Sequence, residues 1–202
     1  MKEYYYDKLF NIKTRGTQRG YPDSTYHNPY QPTPYNALEE LFQNYQLKSS
    51  DHVVDFGCGK GRLNFFIYYF YNVTVTGIEM NSMLYDEALR NRDCYVNRTQ
   101  ESSDKIHFHC CFAEDYRIEP ADNRFYFFNP FSVEIFQQVI QNIEHSAEQH
   151  KRAIELILYY GSDEYMNYLK TNTAFELQSE INLSHIFNGD PYDRFLIYRL
   201  EG

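Results

Sequence analysis

The sequence has no tryptophan, no long apolar run and no surplus of basic charge. No stretch approaches the roughly 18 apolar residues that a membrane-spanning helix requires, so the chain is expected not to cross a bilayer. Its start, Met1-Lys2-Glu3-Tyr4-Tyr5-Tyr6-Asp7-Lys8, mixes acids with bases and lacks the apolar centre of a secretion signal, which points to the cytoplasm. The four cysteines, Cys58, Cys94, Cys110 and Cys111, have neither disulfide-framework nor CxxC spacing, as expected of reduced thiols in a reducing compartment. With 28 acidic against 19 basic residues, the net charge of -9 opposes broad binding to phosphate backbones. Lys8, Lys13, Arg15 and Arg19 do make the N-terminus locally basic, so nucleic acid stays open as the less favoured partner. No internal repeat or low-complexity tract is present.

What is there fits one α/β domain: 202 residues, 43% hydrophobic and 23% charged. Residues 1–36, with Gly16, Gly20, Pro22, Pro29, Pro32 and Pro34 and little apolar periodicity, read as an irregular arm or lid over a core spanning 37–202. The core opens with an amphipathic helix, Ala37 to Tyr45, followed by an apolar strand, His52 to Phe56, that runs into Gly57-Cys58-Gly59-Lys60-Gly61. A buried helix, Arg62 to Asn72, and a β-branched strand, Val73 to Glu79, complete a β-α-β unit. The alternation continues with a helix near Ser82 to Val96, strands at Ile106 to Phe112 and Arg124 to Phe128, a helix at Val133 to Glu144, a strand at Ala153 to Tyr159 and a helix at Glu164 to Lys170. Such alternation implies a mostly parallel sheet with helices on both faces. Phe175 to Leu183 and Arg194 to Leu200 have no room for a helix between them, so they should pair as a C-terminal antiparallel hairpin.

The glycine turn carries the most chemistry. Gly57, Gly59 and Gly61 allow backbone N–H groups, together with Cys58 in the turn, to approach a ligand at a helix N-terminus. The spacing is Asp55-x-Gly-x-Gly-x-Gly, not the G-x-G-x-x-G of dinucleotide folds, and Glu79 ends the second strand where a carboxylate can accept two ribose hydroxyls. This pattern resembles motif I of the class I, seven-strand Rossmann-like methyltransferases that use S-adenosylmethionine (AdoMet), from about residue 37 to the end. The resemblance implies AdoMet as cofactor, with Asp55 orienting its methionine end, Glu79 its ribose, and Met80 beside it. The family often places an acidic residue after the third strand to read the adenine, whereas here Phe112-Ala113 stands there. Glu114 or Asp115 would take over that contact, or Phe112 would stack on the purine while a backbone N–H reads it.

Phe127-Phe128-Asn129-Pro130-Phe131-Ser132 ends the fourth strand, where the sheet order should reverse and a crevice open. It resembles the Asn-Pro-Pro-aromatic signature of methyltransferases acting on amino or amide nitrogen, so Asn129, Pro130 and Phe131 are the candidate acceptor residues, although an Asn-Pro turn alone would look the same. Tyr30-Gln31-Pro32-Thr33-Pro34-Tyr35 is similar to the Tyr-x-Pro-Thr segment of seven-strand protein-lysine methyltransferases, which makes Tyr30 and Thr33 candidates to close over the cofactor, with the Thr14-Arg15-Gly16 turn in the same lid. Methyl transfer is an in-line displacement that rests chiefly on alignment. If a proton must leave the acceptor, Tyr30, Tyr35, His27 or a residue near Phe128 to Phe131 is placed to assist. His107, His109 and Cys111 share a strand face but lack a fourth ligand, and burial in an interior strand explains them better than zinc. The expected activity is methyl transfer to a small-molecule or protein acceptor on nitrogen, with a nucleic-acid base or AdoMet binding without turnover as alternatives.

Overall fold

The structure is a computed structural model that describes residues 2–16, 28–100, 102–187 and 189–202. The strands are β1 (His52–Phe56), β2 (Thr74–Glu79), β3 (Ile106–Cys110), β4 (Arg124–Phe127), β5 (Ile154–Tyr159), β6 (Glu176–Asn182) and β7 (Arg194–Leu200). They form one sheet in the order β3-β2-β1-β4-β5-β7-β6. Strands β1 to β5 pair in parallel, and β7 runs antiparallel to both β5 and β6. The mostly parallel, seven-stranded sheet with a reversed C-terminal pair is the architecture anticipated from the alternation of elements.

The helices are α1 (Lys2–Phe10), α2 (Tyr35–Asn44), α3 (Arg62–Tyr71), α4 (Ser82–Thr99), α5 (Val133–Gln149) and α6 (Asp163–Asn172). Side chains alternate across the central strands, so each strand feeds two cores. Val53, Tyr126 and Ile157 face a core built with α1 to α4, while Val54, Phe125, Phe127, Leu156 and Leu158 face one built with α5 and α6. In the second core Phe136 and Tyr165 stack with ring centroids 3.8 Å apart. Asn81 caps α4 by accepting from the Met83 and Leu84 amides, and Ser162 caps α6 through the Tyr165 amide.

Two expectations need correction. The arm is not irregular throughout, because residues 2–10 form α1. Hydropathy conceals this helix: its buried face is Tyr6, Asp7 and Phe10, with Tyr6 4.7 Å from Tyr35 and 5.6 Å from Phe66 between ring centroids. Buried Asp7 is satisfied by the Thr14 amide and hydroxyl and by the Tyr35 hydroxyl, at 3.1, 2.7 and 2.8 Å. Strand β3, for its part, lies at the sheet edge and not in the interior, and His107 and His109 are on its exposed side while Ile106 and Phe108 are buried.

Candidate functional site

The sheet order reverses at β1, which has β2 on one side and β4 on the other, and a crevice opens beyond the strand ends there. The arm roofs this crevice into a cavity of about 540 Å³. Its floor is Asp55, Gly57, Cys58, Ile78 and Glu79, and Asn28 to Thr33 cover it.

Sharp turns after β1 make the floor. Gly57, Gly59 and Gly61 have φ of 77°, 55° and 82°, in the left-handed region that costs other residues most. Close approach restricts them as well: a Cβ on Gly57 would lie 2.7 Å from the Pro130 side chain, and one on Gly59 would overlap the Tyr30 ring. Thus Gly57 lets the acceptor loop come near, and Gly59 lets the lid lie flat. Gly59 and Gly61 shape the turn without lining the cavity.

Two carboxylates dominate the electrostatics. Asp55 is 4% exposed, and burial, reinforced by the neighbouring Glu79, pushes its pKa up to about 8. The Asn64 amide, oriented to accept from the Gly77 N–H at 3.2 Å, donates to Asp55 Oδ2 at 3.0 Å. Glu79 is also raised by burial, an effect that backbone hydrogen bonds oppose. Its Oε2 accepts from the Gly59 amide at 2.9 Å and its Oε1 from the Asn81 amide at 2.8 Å. The Met80 amide adds a third backbone hydrogen bond, so the carboxylate is held rigidly, and with roughly four acceptor sites in all it can still accept from a ligand.

The arm is fastened at several points. The Tyr30 hydroxyl donates to the Thr14 carbonyl at 2.6 Å, and Lys60 Nζ sits 5.2 Å from the Tyr30 ring centroid. Thr33 Oγ1 shares a hydrogen bond of 2.7 Å with the Tyr126 hydroxyl. Asn28 donates through its amide to the Pro130 carbonyl at 3.1 Å and through its side chain to the Asn129 carbonyl. The lid and the acceptor loop therefore close on each other directly.

The acceptor side is the segment after β4. Asn129 has φ of 41°, a conformation uncommon outside glycine. Phe131 is buried, and the Tyr165 hydroxyl donates to its carbonyl, locking the turn. Beyond Asn129 the wall is Phe128, whose ring is 4.5 Å from Tyr159, and Tyr160, itself at φ 54°. The Tyr160 hydroxyl donates to Asp190 Oδ2 at 2.6 Å, and Tyr192, 5.6 Å from Tyr160 between centroids, donates to Asp163 at 3.1 Å. Phe128 and Tyr160 line the cavity here, while Asp190, Asp163 and Tyr192 stand behind Tyr160 with Arg194 close to Tyr192.

Tyr30, Thr33, Asp55, Gly57, Cys58, Glu79, Met80, Asn129, Pro130 and Phe131 thus come together around one cavity. Glu114 and Asp115 do not: they sit in a 3-10 turn, Ala113–Asp115, outside it, and Phe112 is 49% exposed and also outside. Cys111 and Ala113 line that end instead, with Met80, Asn81 and Leu84. The hydroxyls of Tyr30 and Tyr35 are committed as donors to Thr14 and Asp7, and burial raises both pKa values, which disfavours them as bases. His27 lies outside the described residues. Asn28, Arg62, Tyr126 and Tyr160 were not singled out from sequence. Of these only Arg62 offered a signal, as a charge at the start of a helix otherwise read as buried.

Residues 33–120 match a methyltransferase domain family. A protein-lysine N-methyltransferase of Saccharolobus islandicus is 35% identical over 66 residues, 32% of this chain and 41% of that relative, so the match spans less than half of the relative's length. An RNA methyltransferase from Salinibacter ruber, solved with S-adenosylhomocysteine, superposes with a TM-score of 0.55 at 14% identity, covering 84% of this chain and 92% of its own. Geranyl diphosphate C-methyltransferase from Streptomyces coelicolor gives 0.56 at 12% identity, with 83% and 78% covered. At these identities the two structures speak for the fold.

Proposed function

We propose that this chain, which has the Rossmann-like methyltransferase fold and a methyltransferase-domain segment over residues 33–120, binds AdoMet and transfers its methyl group to an amine nitrogen of a protein or small molecule. The observation that carries the reading is the pairing of two buried carboxylates, Asp55 and Glu79, at the floor of a cavity that continues to Asn129. A dinucleotide would bring its pyrophosphate beside Asp55, which offers it no positive charge in either protonation state. AdoMet brings an ammonium group and ribose hydroxyls, which are donors where donors are needed. Asp55 would take the ammonium, Glu79 the ribose, and Met80, Leu84, Cys111 and Ala113 the purine. When bound, the cofactor supplies an electrophilic methyl group. The protein orients it, excludes water beneath the arm, and holds the acceptor in line at Asn129 and Pro130.

The wall of the cavity beyond Asn129 supports an amine acceptor. Phe128 and Tyr160 offer ring faces at the cavity wall, with Asp190 held behind Tyr160, which suits an amine, arriving as its ammonium and losing a proton to solvent before its lone pair accepts the methyl group, better than a phosphate-bearing strand. The protein-lysine relative supports a protein acceptor. A nucleic-acid base is the second reading, supported by Asn129-Pro130 at the start of the amino-nitrogen signature, but Ser132 stands where that signature has its ring, and Phe131, one place too early, is buried.

Calorimetric titration with AdoMet, S-adenosylhomocysteine and NAD tests the cofactor. Micromolar binding of the first two, about -8 kcal/mol, is expected, and binding of NAD alone would overturn the reading. Transfer of labelled methyl from AdoMet to lysine-rich proteins, free amines and RNA then tests the acceptor. Labelling of RNA alone would replace the amine reading, and cofactor binding without transfer to any acceptor would favour a non-catalytic role.

A further inference from the structure

Helix α1 carries aromatic rings on its outer side as well as its inner one. Tyr6 and Phe10 are buried, whereas Tyr4 and Tyr5 are 58% and 60% exposed, and on the adjoining α3 Tyr69 and Phe70 are 40% and 46% exposed. The rings are connected. Between centroids, Tyr5 lies 5.2 Å from Tyr6, Tyr6 6.2 Å from Phe70, Phe70 4.9 Å from Tyr69, and Tyr69 5.1 Å from Phe10. Exposed apolar side chains scattered singly are ordinary, but four large rings gathered where two helices meet mark a surface that another molecule covers.

Charge selects that molecule. In a chain of net charge -9, residues 1–16 hold four bases and two acids. Both acids are engaged, Glu3 by Arg62 and Asp7 by Thr14 and Tyr35. Lys8 Nζ and the Arg15 guanidinium stand 5.9 and 5.4 Å from the centroid of the exposed Tyr4 ring. Lys8 has no acid partner among the described residues, and Arg15, 3.6 Å from Asp7, keeps a side chain that is more than half exposed. Two cations are few for a strand of phosphates, whereas tyrosines with an arginine beside them are what the centre of a protein interface is rich in. A two-fold pair of copies would set these cations against each other. We propose that this face of α1 and α3 docks a protein partner through a segment that carries carboxylates beside apolar side chains, the carboxylates meeting Lys8 and Arg15 and the apolar groups meeting Tyr5, Tyr69 and Phe70. The surface adjoins the lid. The Thr14 carbonyl takes the Tyr30 hydroxyl at 2.6 Å and the Arg15 carbonyl takes Lys60 Nζ at 3.4 Å, so a partner seated there touches the arm that roofs the cavity. Such docking requires neither the amine nor the base reading of the acceptor.

The test selects binders of the full chain from a displayed library of random dodecapeptides, then titrates the selected peptides against the unsubstituted protein, Tyr5→Ser/Phe70→Ser and Lys8→Glu. Sequences that combine acidic and apolar residues are expected. Their affinity should fall about tenfold or more in the aromatic double variant and about three- to tenfold in Lys8→Glu, the second loss shrinking as salt is raised. Lys8→Glu leaves the ring packing intact and serves if the double variant does not fold. Selection of basic sequences, of acidic ones that ignore both variants, or of none would overturn the proposal. Binding of oligouridine or of phosphatidylserine vesicles that is lost in the same variants, with no acidic peptide bound, would also overturn it and give the surface to nucleic acid or to a membrane.

Discussion

Asp55 makes the affinity for the cofactor depend on pH in a direction that can be worked out. Its carboxyl is buried beside Glu79 and its pKa is pushed up to about 8, so near neutrality the unliganded protein mostly holds a neutral acid there. An ammonium group needs the ionised form. Taking the ionised fraction as the binding-competent one, it is about 1% at pH 6 and about 24% at pH 7.5, so the dissociation constant of S-adenosylhomocysteine should fall roughly 20-fold across that interval. The range stops at 7.5 because an α-amino group itself deprotonates at about 7.7 to 8.0. Binding should also release protons below pH 7.5, visible in calorimetry as a heat that changes with the ionisation enthalpy of the buffer. Stability runs in the opposite sense. The folded acid titrates at about 8 against an ordinary value of 3.8, so its contribution is greatest below pH 3.8 and is lost as pH rises through about 8. Asp55→Asn should bind more weakly and with a flat pH profile. A constant affinity between pH 6 and 7.5, or a slope that survives in Asp55→Asn, would refute the assignment.

Three further outcomes are expected. Glu79→Ala removes the acceptor of the Gly59 and Asn81 amides and the proposed ribose contact, so S-adenosylhomocysteine should bind about 1.5 to 3 kcal/mol more weakly, and an unchanged affinity in a folded variant would remove Glu79 from the site. Gly59→Ala combines a φ of 55° with overlap of the Tyr30 ring, so the arm should lift and limited proteolysis near residue 30 should speed up; an unchanged cleavage rate would mean that the arm is not held there. At the opposite end of the strands, Arg124 pairs with Asp51 and Glu155 at 3.2 Å each, and Arg124→Met should cost about 3 kcal/mol of stability in denaturant melts while leaving cofactor affinity unchanged.

The core was legible because its elements obey local rules. The β-branched run ending at Glu79 became β2 over Thr74–Glu79, and the helix starting at Val133 begins where expected, although it continues to Gln149 and so outruns its apolar signal. The absence of room for a helix between the last two strands sufficed to reverse β7. The floor of the cavity was legible for a related reason: a glycine turn after one strand and an acid at the end of the next have few other arrangements in a β-α-β unit. The roof was not, because its determinants are distant in sequence and polar. Asn28 meets Asn129 across 101 residues, and Tyr6 meets Glu39 across 33, with no periodicity to announce either. Helix α1 buries Asp7, a residue that a hydropathy reading places outside, and does so only because Thr14 and Tyr35 from elsewhere in the arm satisfy it. Arg62 combines both situations: its position after the glycine turn is local, whereas its role in fastening the arm depends on Glu3, Thr14 and Thr33 arriving around it.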